Sequence, residues 1–320
     1  MNNTQDRNTL AKIVCSTNNI HVIYHGNCMD GTASAWAARY WLSKADKNLS
    51  FEKGFYGKAV DDYEIPDDTE LVLMVDFSMK SAELDQMAAK FKVAIIDHHD
   101  SAQRELNNVA HPNIFKVFDM TESGATLTWR VFSEYENLNP AWRTDDGCRI
   151  PTLLKHVRDR DLWQWKLKDT KAVALALNHY GLGIDDFDHA YNQELDELVA
   201  FGTPMVLYHQ SIVENIACSA KEFEMLVDSG SVVVPIVTCS PMFISDVAQE
   251  IYNKMDVPFV LLVNSDLKGG FKCSLRSKQG TGHVVNGIAE SFGGGGHQYA
   301  AGFYVTETQF YEMGRLVKNA

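Results

Sequence analysis

The chain has 320 residues, 45% of them apolar, with a formal net charge of −13. That length exceeds the roughly 250 residues at which single cores tend to divide, so two domains are expected. The acidity excludes long duplex nucleic acid as a partner, because that binding draws on many Lys and Arg contacts to phosphate.

The first half alternates short apolar runs with helical patterns. "IHVIYH" (20–25) is followed by "TASAWAARYWLSKA", "LVLMVDF" (71–77) by "SAELDQMAAKF", and then comes "KVAIIDHH" (92–99). Continuous apolar strands separated by helices predict a parallel α/β sheet covered on both faces. Further helices are expected over 123–135 and 146–160, then "RDRDLWQW". From 185 to 225 the pattern is helical and charged, without a strand signal. A second set follows: strands at 231–237, 257–263 and 270–277, helices near 244–255 and 283–291, the run "FGGGGHQYAAGF" (292–303) and a terminal helix. The expected organisation is 1–187 as an α/β parallel-sheet domain, 188–229 as a helical linker and 230–320 as a smaller mixed α/β domain. Trp36, Trp41, Trp129 and Trp142 fall on helical patterns and read as core. Asp185, Asp186 and Asp188 read as solvated turn residues. Six cysteines (Cys15, Cys28, Cys148, Cys218, Cys239, Cys273) form no CxxC pair, which predicts reduced thiols. With no signal peptide and no apolar run of about 20 residues, a cytoplasmic protein without a membrane partner is expected.

In parallel sheets ligands gather beyond the carboxyl ends of the strands. All three N-terminal runs finish there in polar clusters: His25 to Asp30, Asp76, and Asp97 to His99. Buried carboxylates demand compensation, and a metal ion supplies it. Carboxylate with imidazole suits Mn, Mg, Fe or Zn rather than Ca. An Asp on the middle strand could bridge two ions about 3.5–4 Å apart, a pair able to clamp a phosphoryl group. The alternative is that each His–Asp pair is a structural hydrogen bond; three converging strand ends favour the metal. The glycines 293–296 read either as a hairpin or as a backbone nest for phosphate beside His297. Arg276, on a polar-alternating strand, could add a bidentate phosphate contact.

These motifs resemble the DHH phosphoesterase superfamily with a C-terminal DHH-associated domain, of the nanoRNase or oligoribonuclease kind. The resemblance rests on "HGNCMDGTASA", "VDFS", "IIDHHDSA", "TESGATLTW" and "GGGGHQYAAGF", and covers nearly the whole chain. It implies a catalytic parallel-sheet domain and a smaller substrate-binding domain with the site in the cleft between them. It implies His25, Asp30, Asp76 and His98 as metal ligands, Asp76 bridging, with a further Asp from "VRDRDLW", for which Asp159 is preferred over Asp161. Asp97 and His99 would act with His98 in catalysis, orienting the cluster or contacting phosphate. Arg276, Gly294, Gly295, Gly296 and His297 would hold the nucleotide. The cofactor implied is one or two divalent ions, Mn2+ first, with Mg2+, Fe or Zn2+ as alternatives. Cys28 stands where the family has its first carboxylate; a thiolate can ligate Zn or Fe but is a poor ligand for Mg or Mn, so Cys28 is either a ligand that alters metal preference or, as the preferred reading, a small apolar filler.

The resulting expectation is a phosphodiesterase that cleaves short linear oligonucleotides or dinucleotides to mononucleotides, as a monomer or a homodimer. Alternative substrates in the same family are a cyclic dinucleotide, a 3′-phosphorylated adenosine phosphate or polyphosphate. The rival from another class is a non-catalytic nucleotide sensor.

Overall fold

A computed structural model of the protein describes residues 3–133, 149–227 and 230–317. Trp142, Cys148 and parts of the two helices expected over 123–135 and 146–160 lie outside the described residues. Contacts divide the chain into two units, Met1–Val206 and Leu207–Ala320.

In the first unit, β1 (Asn19–His25), β2 (Asn48–Gly54), β3 (Leu71–Val75), β4 (Lys92–Asp97) and β5 (Ile114–Phe118) form a parallel sheet in the order β2-β1-β3-β4-β5. The helices are α1 (Asn3–Ser16), α2 (Met29–Ser43), α3 (Ser81–Ala88), α4 (Asp100–Leu106), α5 (Gly124–Ser133), α6 (Thr152–Asp161), α7 (Thr170–Tyr180) and α8 (Ile184–Tyr191). Successive strand residues point to opposite faces. Val22, Leu73 and Ala94 pack in one cluster with Trp36, Trp41 and Trp129, while Ile23, Val72, Met74 and Ile95 pack in another with Leu84 and Met87. Burial on both faces is why these strands read as unbroken apolar runs.

Trp36 and Trp129 stack nearly parallel with centroids 6.0 Å apart. The Trp36 indole N–H donates to Asp188 Oδ1 at 2.8 Å. Asp188, half-exposed and within α8, is therefore the partner of a buried indole rather than a turn residue. Asp186 likewise accepts the Gly183 N–H at 3.0 Å and caps the start of α8. Asp185 pairs with Arg39 at 2.5 Å.

Helix α9 (Leu195–Cys218) leads into a seven-stranded sheet in the second unit. Its strands are β6 (Lys221–Val227), β7 (Gly230–Thr238), β8 (Val260–Ser265), β9 (Gly270–Arg276), β10 (Gly295–His297), β11 (Ala300–Thr306) and β12 (Gly314–Leu316), ordered β10-β11-β9-β8-β7-β6-β12. Among the described strands of this sheet, only β7 and β8 pair in parallel. Helices α10 (Ile244–Lys254), α11 (Asn286–Ser291) and α12 (Glu307–Met313) complete it. The expectation of a helical linker over 188–229 needs correction, because β6 lies inside that span and pairs with β7. In "KEFEMLV", Phe223 and Met225 are buried in the core of this unit, the period of two that marks a strand. Among the described residues, no helix is long and apolar enough to cross a membrane.

The described cysteines are all free thiols. Burial pushes the Cys239 thiol up to about 11 and the Cys273 thiol up to about 12, so both stay protonated at neutral pH, and Cys218 is exposed. Iodoacetamide at pH 7.5, read by peptide mass mapping, should therefore modify Cys218 and leave Cys239 and Cys273 untouched until denaturant is added.

Candidate metal centre

From β1 the sheet grows outward to β2, then returns to place β3 on the other side of β1. The reversal between β1 and β3 is where an open parallel sheet leaves a crevice beyond its strand ends. His25 is the last residue of β1, and Asp76 directly follows β3.

At Asp76 the backbone turns into the left-handed region, φ +53°, while its N–H stays bonded to Ile96 O at 2.9 Å. The carboxylate is 1% exposed and neither oxygen accepts a hydrogen bond. Two imidazoles stand against it, His98 Nε2 at 3.0 Å from Oδ1 and His25 Nδ1 at 3.4 Å from Oδ2. His98 Nε2 is also 3.5 Å from Asp30 Oδ2 and 3.6 Å from Asp161 Oδ2. The ligand atoms of Asp30, Asp76 and His98 lie within 4.8 Å of one another, as do those of His25, Asp76 and His99. Two groups of three thus share a single carboxylate.

Helix α5 fixes Asp30. Its first turn offers the Gly124 N–H to Asp30 Oδ2 at 2.5 Å and the Ala125 N–H to Oδ1 at 3.1 Å, so the free donors of a helix N-terminus hold an anion. A Cβ at Gly124 would lie 2.5 Å from Asp76 Cβ and 2.7 Å from its Oδ1. A Cβ at Gly31 would lie 2.2 Å from His25 O. Sequence reasoning took "TESGATLTW" as a helix start and missed these backbone roles; the signal was glycine at the first turn. It also missed Tyr56, whose ring centroid is 5.5 Å from that of His25 and 6.4 Å from that of His99.

Asp97 is fully engaged. It accepts from Ser78 Oγ at 2.5 Å and from the His98 N–H at 2.7 Å, and its Oδ1 meets His99 Nδ1 at 2.7 Å. Its position orients His99 and the turn into α4. Asp159, preferred over Asp161, needs correction: its oxygens accept from Lys166 N at 2.8 Å, Leu167 N at 3.1 Å and Thr170 Oγ1 at 2.7 Å. It braces the loop after α6, and Asp161 is the residue beside His98.

The charges oppose one another strongly. Burial would raise Asp76, but contact with His25 and His98 holds it well below the usual carboxylate range. Burial, then the negative charges of Asp76 and Asp161, drives Asp30 well above that range, and burial raises Asp161 too. Burial would lower His98, yet Asp76, Asp161 and Asp30 raise it well above the ordinary imidazole value. Carboxylates this close require protons or a cation. Buried Asp76 oxygens that accept no hydrogen bond, amid N and O donors, fit a divalent ion.

In the second unit, the glycine run forms the β10 hairpin with β11. A Cβ at Gly294 would lie 2.1 Å from Gly302 O, and at Gly296, φ +140°, 2.6 Å from Ala300 O. Both glycines answer to close strand packing. The register sets His297 opposite Ala300 and Ala300 opposite Arg276. Directly paired residues share a sheet face, so His297 and Arg276 flank a small alanine on one face. Arg276 Nε donates to Ser245 Oγ at 3.1 Å.

Replacing Gly124 with Ala should force Asp76 away from its imidazoles. We expect a loss of about 1–3 kcal/mol in stability, typical of overpacking, together with weaker Mn2+ binding, measured by thermal melts and by titration calorimetry.

Residues 19–146 match the DHH family, N-terminal domain, and residues 230–320 match the DHHA1 domain. The "Uncharacterized protein R106" of Acanthamoeba polyphaga mimivirus is 27% identical over 306 residues, covering 88% of this chain and 66% of that protein. The chain therefore spans about two thirds of the length of this curated relative. The structure of RecJ in complex with Mn2+ from Thermus thermophilus is 16% identical with a TM-score of 0.57, covering 97% of this chain and 53% of that one. An exopolyphosphatase-related protein from Bacteroides fragilis is 13% identical with a TM-score of 0.54, covering 94% and 91%. These two likenesses are of fold. With a DHH family N-terminal domain followed by a DHHA1 domain along one chain, the protein belongs to the DHH phosphoesterase superfamily.

Proposed function

We propose that this protein is a metal-dependent phosphodiesterase that hydrolyses short linear oligonucleotides, of two or a few nucleotides, to mononucleotides. The observation that carries the reading is Asp76, one buried carboxylate shared by two His/Asp groups. Asp30, Asp76, His98 and Asp161 would hold one ion, and His25 with Asp76 would contribute to a second. When bound, such ions neutralise phosphoryl oxygens and make a water acidic enough to act as nucleophile. Mn2+ is the first choice, supported by the fold likeness to a RecJ structure in complex with that ion.

The chain's own groups do the positioning. The amides of Gly124 and Ala125 fix Asp30, and the Asp97 carboxylate fixes His99. Preorganised charge of this kind acts without reorganisation during reaction. Arg276 and His297, on one sheet face, are donors suited to a substrate phosphate and its nucleoside. The net charge of −13 limits substrate length, because a long single strand needs a basic track.

Incubation of the purified protein with Mn2+ and a panel of dinucleotides, longer oligomers, cyclic dinucleotides, 3′-phosphoadenosine phosphate and polyphosphate tests the reading. Mononucleotide release is expected fastest from the linear dinucleotides. Saturable binding without product on any member would mark a sensor instead. His98→Ala should remove turnover while circular dichroism stays unchanged; a folded mutant at wild-type rate would remove His98 from the mechanism.

Arg276→Ala should leave metal content unchanged. Losing a charged hydrogen bond of about 1.5–3 kcal/mol corresponds to a roughly 10–100-fold rise in KM if the contact is equal in ground and transition states. Loss of bound metal in this variant would contradict the assignment of substrate binding to the second unit.

A further inference from the structure

We infer that the second ion site of this chain, to which His25 and Asp76 contribute, is completed by His99, which takes the place of the carboxylate that the family motif would put at Cys28. The inference rests on the metal-dependent reading above and assigns the side chains of its less usual half.

Four observations converge. The ligand atoms of His25, Asp76 and His99 lie within 4.8 Å of one another, and among the described residues Cys28 completes no such group. The Asp76 carboxylate, 1% exposed with both oxygens accepting no hydrogen bond, belongs to this group as well as to the one with Asp30 and His98. Asp97, itself pinned by Ser78 and the His98 amide, holds Nδ1 of His99 at 2.7 Å. A carboxylate on one ring nitrogen is the usual support of a histidine that ligates through the other, because it fixes the tautomer and the ring plane. The His25 and His99 rings meet edge to face with centroids 5.7 Å apart, which brings two imidazoles together over one carboxylate.

Cys28 has a different local task. It is the residue before α2, with extended backbone at φ −121° and ψ 137°, and its thiol lies against His25. Two imidazoles and one carboxylate make a site suited to Mn, Fe or Zn, whereas the carboxylate-rich group around His98 also suits Mg. The two halves of the centre should therefore differ in metal preference.

The test is metal stoichiometry of the full chain. Protein stripped with chelator and titrated with Mn2+, followed by electron paramagnetic resonance of the free ion, should hold two ions. Cys28→Ser should still hold two, and His99→Ala only one. His99→Gln, nearer in size, repeats the measurement should the alanine variant melt early. With Co2+ in place of Mn2+, the wild-type spectrum should lack a thiolate-to-cobalt charge-transfer band. Two ions retained in both His99 variants, one ion lost in Cys28→Ser, or a thiolate band would overturn the inference. A wild-type protein holding one ion and still hydrolysing dinucleotides would overturn it and leave the proposed function standing. Turnover with no bound ion would overturn both.

Discussion

The arrangement of the first unit turns on one constraint, the burial of the Asp76 carboxylate. An ionised carboxylate taken from water without hydrogen bonds is very unfavourable, and neither Asp76 oxygen accepts one. Its backbone adds to the cost, since a non-glycine residue in the left-handed region costs about 1–3 kcal/mol unless its surroundings over-determine it. Those surroundings are visible. β3 is clamped between β1 and β4, the absent Cβ of Gly124 leaves the space that the side chain occupies, and His25 and His98 close on either oxygen. The strain aims a carboxylate into the crevice where the chain order of the sheet reverses.

Around it, the neighbouring carboxylates would repel one another if each were charged. Asp30 is held by helix amides that favour its charged form, yet burial with Asp76 and Asp161 beside it pushes the other way. Asp97 escapes this conflict because Ser78, an amide and an imidazole satisfy it. The distinction separates carboxylates built to organise the protein from those built to receive a cation. Asp159 belongs with Asp97: three donors from the loop after α6 and the start of α7 already engage both its oxygens.

This explains what the sequence could and could not disclose. The strands β1, β3 and β4 were legible because both their faces are buried, and their terminal His and Asp residues were conspicuous against apolar runs. The choice between Asp159 and Asp161 was not legible. Two positions on a helix differ by about 200° in direction, and with acidic residues at both, only the packed phase of α6 tells which one meets His98. β6 was hidden by the charged helix before it, although Phe223 and Met225 already alternated with glutamates. Asp188 looked like a turn residue because its partner, Trp36, is 152 positions away.

The second unit solves a different problem with the same economy of side chains. Its glycines read either as a hairpin or as a phosphate nest, and the hairpin is what forms: Gly294 and Gly296 are glycine because the β11 backbone passes where a Cβ would stand. That close approach lets the three-residue strand β10 pair at the sheet edge and brings His297 into register with Ala300 and Arg276. Adjacent strands lie about 4.8 Å apart, so the imidazole and guanidinium backbones are separated by roughly two such spacings, with only a methyl group between them. A larger residue at 300 would fill the space between the two donors. The glycines thus act through the sheet: they allow the strand that sets the row in which His297, Ala300 and Arg276 lie side by side.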